Sequence, residues 1–495
     1  MSTFDASKLS ASKVSDADVP PNLLNFMLRG WNPKSRELPK VIHNALNLSR
    51  RRDRLSQRFP GEVLVIPTGH RSVRANDTYY RFRPGTDFYY LTGVFEPDCV
   101  LVLLPHGNTH EQLLFVEPNT GKTDAAFFTD RKKGELWEGY RPGVPETQAR
   151  YGITCRVLSE LESTLKTVLA SSTHHARILR GLSDTTEDLL ERGGVREQRE
   201  RDQDLATFLS EMRLIKDSAE IRALHDAVLA TKRGFEDVIA RLSTAKTERE
   251  LEGVFWTRAR MEGNDVGYTS IVGAGSHACT LHWKRNDGAI RKKDLLLLDA
   301  GIEGKSLYTA DITRTFPISG KFTSEQRAIY ELVLEAQSEA LERVKPGNEF
   351  MAPHKAAMTV FAHGLERLGI LPMSAGEALR EENQFYRRYS LHNVSHMLGL
   401  DVHDCARARA ENYRHGKLES GMVLTVEPGL YFQVDDQTVP SRYRGIGVRI
   451  EDDVVVTKKG YRVLSSALPR DPDAVERWMR EVWKRVGAPK PHGVD

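Results

Sequence analysis

Four leucines run directly into an aspartate in the segment LLLLDAG, which carries Asp299. The apolar run reads as a buried strand. A carboxylate at its end is costly in apolar surroundings unless it is paired or bound to a cation. The arrangement recurs. Glu427 closes the strand-like run in MVLTVEPGLY, just before a Pro-Gly turn. Glu451 lies in YRGIGVRIEDDVVV, where strand alternation puts Arg449 and Glu451 on one face and Val448 and Ile450 on the other. Asp311 follows Asp299 by 12 positions, in YTADITRTFP, a spacing that a hairpin closes so that two acids meet. His396 lies in YSLHNVSHMLGLDVHD, flanked by His392 and His403.

Any one of these residues alone reads as a satisfied core or edge polar group. Five together do not. Four converging carboxylates repel one another and raise their own pKa values, and two divalent cations offset that charge. Oxygen donors joined by one imidazole suit Mn²⁺ ahead of Zn²⁺, Co²⁺ or Fe²⁺. Two metals a few ångströms apart share and acidify a water and bind a developing oxyanion.

The rest of the chain bounds the function class. Lys and Arg number 71 against 68 Asp and Glu, a net charge of +3, so nothing in the charge balance calls for nucleic acid. No apolar run is long enough for a transmembrane helix, and the N-terminus has no signal-type apolar region. Cys99, Cys155, Cys279 and Cys405 are too far apart for a CxxC pair, which points to a reducing compartment, the cytoplasm.

Residues 1–40 read as a polar leader with one short helix around Leu23–Leu28, and residues 41–205 as an α/β domain. In that domain Val63–Ile66, Phe88–Leu91 and Val100–Leu104 are expected strands, Arg50–Arg52 a solvated helix face, and 173–201 a polar surface connection. Residues 206–216 are the expected linker, and 217–470 an α+β domain with a largely antiparallel sheet. Asp217 with Glu220, and Thr323 with Gln326, have capping-box spacing before apolar helical stripes. Leu295–Leu298, Val423–Glu427 and Ile446–Val456 read as strands, and Gly273–Ser276 as a loop. A C-terminal helix and tail fill 471–495, docked by Trp478 and Trp483.

The strings LLLLDAG, TADITRTFPISGKFT, SHMLGLDVHD, GMVLTVEPGLY and YRGIGVRIEDD resemble the dinuclear site of the pita-bread metallopeptidases, and within them aminopeptidase P, the Xaa-Pro aminopeptidases. NDTYYRFRPGTDFYYLTGVFEPD extends the resemblance into the N-terminal domain, so that it spans about Val41 to Leu464. The gap from Asp299 to Asp311 is one residue longer than the family's usual one, with the extra residue in IEGKSLYT.

The resemblance implies a pita-bread metallopeptidase domain preceded by an α/β domain. It implies that Asp299 binds one metal and His396 the other, that Asp311 and Glu451 bridge both, and that Glu427 binds the His396 metal and handles the proton of a bridging hydroxide. His282, His392 and His403 match non-ligand histidines that bind the scissile carbonyl, its oxyanion and the peptide beyond the proline. Arg449 would orient the acids. Trp137 matches a tryptophan reaching the site, the alternative being a packed core residue. Asp77 matches a residue approaching a neighbouring subunit, the alternative being a surface turn, and on this rests a homo-oligomer, dimer or tetramer. The implied substrates are peptides with proline in second position, losing their first residue. Prolidase, which cleaves Xaa-Pro dipeptides, shares the fold and all five ligands. A non-catalytic binding module on the same fold is the third reading, disfavoured because such relatives have lost ligands.

Overall fold

Strand-forming apolar runs and helices mix along both parts of the chain, and a computed structural model describes residues 19–32, 37–170, 175–192 and 199–487. Most of the leader, the last residues of the tail and parts of the 173–201 stretch lie outside the described residues. The helix expected near Leu23–Leu28 spans Pro21–Met27. Two compact units, Met1–Leu209 and Ser210–Asp495, divide the chain, and the division falls inside the helix Arg199–Met212.

The N-terminal unit is built on a five-stranded sheet. Its order is Thr154–Val157, Thr109–Val116, Val100–His106, Val63–Pro67, Ala176–Ile178. The inner pairings are antiparallel and both edge pairings parallel. Val63, Val65, Val102, Leu113 and Phe115 form its core with Leu161 and Leu165 of the helix Leu161–Leu169.

Three expectations are corrected in this unit. Phe88–Leu91 is helical, within Thr86–Thr92. Gly93, at φ 71°, closes that helix in the left-handed conformation that glycine adopts without strain, and this local stop outweighs the β-propensity of Phe88, Tyr89 and Tyr90. Ala176–Ile178 is no mere connection but a buried edge strand. The Arg50–Arg52 face is not wholly solvated. Arg52 is buried, donating to the Leu91 carbonyl at 2.8 Å and to Gln112 at 2.6 Å, and burial pushes its guanidinium down to about 10.

In the C-terminal unit both predicted capping boxes form, at Asp217/Glu220 on the helix Ser218–Leu242 and at Thr323/Gln326 on Ser324–Leu341. The terminal helix Pro472–Val486 docks as expected, with Trp483 donating to the Ile239 carbonyl at 2.7 Å and Trp478 to Glu236 at 3.2 Å. All strand pairings here are antiparallel, but they are split among several small sheets rather than one. The run expected as one strand, Ile446–Val456, breaks at Glu451 into Gly447–Arg449 and Asp452–Val456, which pair in different sheets. Gly273–Ser276 is half strand, since Ile271–Ala274 pairs with Leu295–Ala300 before a 3-10 turn at Gly275–Cys279. Among the described residues no helix is long and apolar enough to cross a membrane, and all four cysteines are free and buried.

Candidate metal centre

The Asp299–Asp311 hairpin forms. Leu295–Ala300 pairs antiparallel with Ile312–Pro317, with Asp299 opposite Thr313 and Ala300 opposite Ile312. The chain turns at Gly304–Tyr308, where Leu307 takes φ 63°. Gly301 is required here, because a Cβ would stand 1.7 Å from the Ala310 carbonyl oxygen.

Glu427 follows the strand Val423–Val426, and the histidine segment runs beside that strand in irregular conformation. The Thr425 amide donates to the His396 carbonyl at 3.0 Å and the Glu427 amide to the Val394 carbonyl at 2.8 Å. Glu451 sits at the break between its two strands, its amide donating to the Thr313 carbonyl at 3.1 Å. Two buried side chains lock this break. Arg314 donates to the Glu451 carbonyl at 2.6 Å and to Asp452 at 2.8 Å. Gln337 donates to the Val426 carbonyl at 3.1 Å and the Ile450 carbonyl at 3.3 Å, each one residue ahead of an acid of the site.

The ligating atoms of Asp311, His396 and Glu451 all lie within 4.8 Å of one another. His396 Nε2 is 3.2 Å from Asp311 Oδ2 and 3.5 Å from Glu427 Oε1. Its Nδ1 is 3.1 Å from the Met397 carbonyl, so Nδ1–H donates there and Nε2 faces the acids. Asp299 is buried, and both its oxygens accept, from Tyr268 O–H at 2.6 Å and from Arg449 Nη2 at 2.5 Å. Thr313 donates to Glu451 Oε2 at 2.7 Å and accepts from Arg449 Nε at 3.2 Å, so Arg449 and Glu451 do share a face, through Thr313.

The histidines divide. His392 Nδ1–H donates to the Asn393 carbonyl at 2.9 Å, which leaves Nε2 to accept from Tyr431 O–H at 2.9 Å. That hydroxyl in turn accepts from Arg449 Nη1 at 2.8 Å. The His403 ring lies 4.4 Å from the His396 ring, and His403 is exposed. His282 is also exposed.

Electrostatics follow from burying this much acid. Burial pushes Glu427 up to about 7, against the opposing charge of His396. Burial, with the charge of Asp311 adding to it, holds Glu451 and Asp453 well above the carboxylate range, and burial raises Asp299 against Arg449. Burial works against a charge on His396, but its hydrogen bond to Asp311 and the charge of Glu427 carry it up to about 9. Burial, then Arg449, pushes His392 down to about 3, so it stays neutral. An imidazole oriented for ligation, clustered carboxylates and one guanidinium as the nearby cation make a donor set that fits divalent metal ions, whose charge reverses these shifts.

Tyr268, Thr313, Tyr431, Arg314, Gln337 and Asp453 were not singled out from the sequence. Asp453 Oδ2 accepts from the Asp311 amide at 3.2 Å, and the doubled acid in IEDD was the one visible signal of its role. In the N-terminal unit, Trp137 is 40% exposed, which excludes a packed core position, and its Nε1 donates to the Phe128 carbonyl at 2.7 Å. Asp77 is exposed in the turn between Val73–Ala75 and Thr78–Tyr79.

Comparison with known proteins adds to this geometry. The profile of metallopeptidase family M24 matches residues 222–458, and that of the aminopeptidase P N-terminal domain matches residues 48–178. Xaa-Pro aminopeptidase 1 of Streptomyces coelicolor is 47% identical over 463 residues, 93% of this chain and 92% of its own. The Escherichia coli Xaa-Pro aminopeptidase is 34% identical over 87% of this chain and 96% of its own. A solved structure of Escherichia coli aminopeptidase P with the inhibitor Pro-Leu superposes with TM-score 0.80 at 32% identity, over 90% of this chain and 100% of that one.

Proposed function

The chain belongs to the M24 metallopeptidases as a member of the Xaa-Pro aminopeptidase family, and we propose that Asp299, Asp311, His396, Glu427 and Glu451 are the ligands of its two metal ions. The activity is metal-dependent removal of the first residue from peptides with proline in second position. The observation that carries the ligand assignment is the meeting of Asp311, His396 and Glu451 within 4.8 Å, with Glu427 against the same imidazole nitrogen. Metal ions held there supply Lewis acidity toward the scissile carbonyl and lower the pKa of a water.

The side chains do the rest. Glu427, set against the same imidazole nitrogen of His396, takes the proton of the attacking water and returns it to the proline nitrogen as that group leaves. His403, beside His396 and open to solvent, donates to the oxygen that gains charge. Arg449 and Tyr268 fix both oxygens of Asp299, and Thr313 fixes Glu451. His392 holds the Tyr431–Arg449 chain, and meets a peptide only by exchanging one of its two ring hydrogen bonds. His282 contributes a further donor from the exposed side.

Mn²⁺ is the proposed metal because oxygen donors outnumber the single imidazole. A cytoplasmic setting is proposed from four free, buried cysteines. A homo-oligomer is proposed from the family match of Asp77 alone. Xaa-Pro-Xaa against the matched dipeptide Xaa-Pro tests the function. The tripeptide is expected to give the higher kcat/KM. A dipeptide preference above about tenfold, or about 1.4 kcal/mol of transition-state binding, would make the enzyme a prolidase.

A further inference from the structure

Arg449 and Tyr268 hold Asp299, and Thr313 holds Glu451. A separate device serves His396 and Glu427. Thr425 lies in the strand Val423–Val426, two residues before Glu427, and is wholly buried. Strand alternation turns Leu424 and Val426 to the opposite face. Cross-strand pairing sets Thr425 opposite Asp453, the buried acid that accepts from the Asp311 amide.

Thr425 grips His396 twice. Its amide donates to the His396 carbonyl at 3.0 Å, and the His396 amide donates to Thr425 Oγ1 at 3.1 Å. A hydroxyl that accepts in this way still has one proton to give. That proton goes to Glu427 Oε1, 3.3 Å away. The same oxygen of Glu427 stands 3.5 Å from His396 Nε2. One hydroxyl therefore ties the backbone of the imidazole residue to the carboxylate oxygen that faces the imidazole. A methyl group in its place leaves the His396 amide without this acceptor and Glu427 without this donor.

We propose, on the ligand assignment given above, that Thr425 is a positioning residue whose hydroxyl sets His396 and Glu427 together for the metal ion they share. Groups that orient metal ligands contribute roughly 10–100-fold in metal affinity, and Thr425 acts on two ligands at once.

The test titrates Mn²⁺ by calorimetry into chelator-treated wild type, Thr425→Val, Thr425→Ser and Thr231→Val. Thr231 is the control. It is also wholly buried, and its hydroxyl also accepts a backbone amide, that of Ile302 at 2.9 Å, which belongs to no proposed ligand. Thr425→Val is expected to weaken one Mn²⁺ binding step roughly 10–100-fold. Thr425→Ser, which restores the hydroxyl, and Thr231→Val are expected to keep the wild-type affinity. Release of the first residue from Ala-Pro-Gly at limiting Mn²⁺ should follow the same order. Should Thr425→Val fail to fold, Thr425→Ala, which also lacks the hydroxyl, is titrated in its place. Wild-type affinity without the hydroxyl, an equal loss in Thr231→Val, or no rescue by serine overturns the proposal while leaving the ligand assignment intact. Absence of Mn²⁺ binding by the wild type overturns both.

Discussion

Asp311 and His403 both lie beside His396, and they are expected to fail differently. Asp311 Oδ2 stands 3.2 Å from His396 Nε2, among the ligating atoms. Asp311→Asn should therefore lose both metal and activity, because it removes a carboxylate that would hold the metal together with His396 and Glu451. The His403 ring lies 4.4 Å from that of His396, outside the group of ligating atoms. His403→Ala should keep its metal, read by elemental analysis, while the rate falls by about 10²–10³-fold, the cost of one oxyanion donor. Metal loss in His403→Ala would make it a ligand, and an unchanged rate would make it structural. Asp299 and Glu427 stand out in the sequence because acids at the ends of apolar strands break a local pattern. Tyr268, Thr313 and Tyr431 do not stand out. Each is an ordinary polar residue in an ordinary context, and its role arises only when strands distant in sequence are paired.

At the scale of elements, the segment carrying His396 and His403 has no regular structure of its own and is anchored by a buried ion cluster. Asp404 is wholly buried, with Arg213 Nε at 3.0 Å and Lys216 Nζ at 3.1 Å. Burial alone would raise its pKa, and those two cations hold it down at about 2 instead. Asp404→Ala removes the carboxylate that two buried cations share, and should cost about 3–5 kcal/mol in urea unfolding. A cost below about 1 kcal/mol, the range of a surface pair, would show that the anchor is elsewhere. The capped helices Ser218–Leu242 and Ser324–Leu341 were readable because capping is a short-range signal. The helix at Thr86–Thr92 and the break at Glu451 were not. The first is decided by a left-handed stop at Gly93, and the second by Arg314 and Gln337 reaching in from other elements.

For the molecule as a whole, clustering acid around one imidazole makes stability depend on pH and metal together. In metal-free protein, the Glu427 pKa is raised from 4.5 to about 7, so the folded state holds more protons and stability falls as pH rises through that window. His396, raised from 6.5 to about 9, contributes stability that is full below 6.5 and lost as pH rises through 9. His392 acts in the opposite sense but only below its ordinary 6.5. Metal-free protein should thus lose Tm from about pH 6.5 to 9. Added metal should raise Tm most at the upper end, where protons no longer compete for the ligands. A flat Tm over that range would contradict the clustering. Each of these expectations requires that the clustered acids and His396 hold the metal ions needed for Xaa-Pro cleavage. That requirement is tested most directly by titrating Mn²⁺ into chelator-treated protein while following release of the first residue from an Xaa-Pro-Xaa peptide. The expected result is no release without metal, and a rate that saturates as two ions bind per chain. Full release in the presence of chelator, with no metal bound, would contradict it.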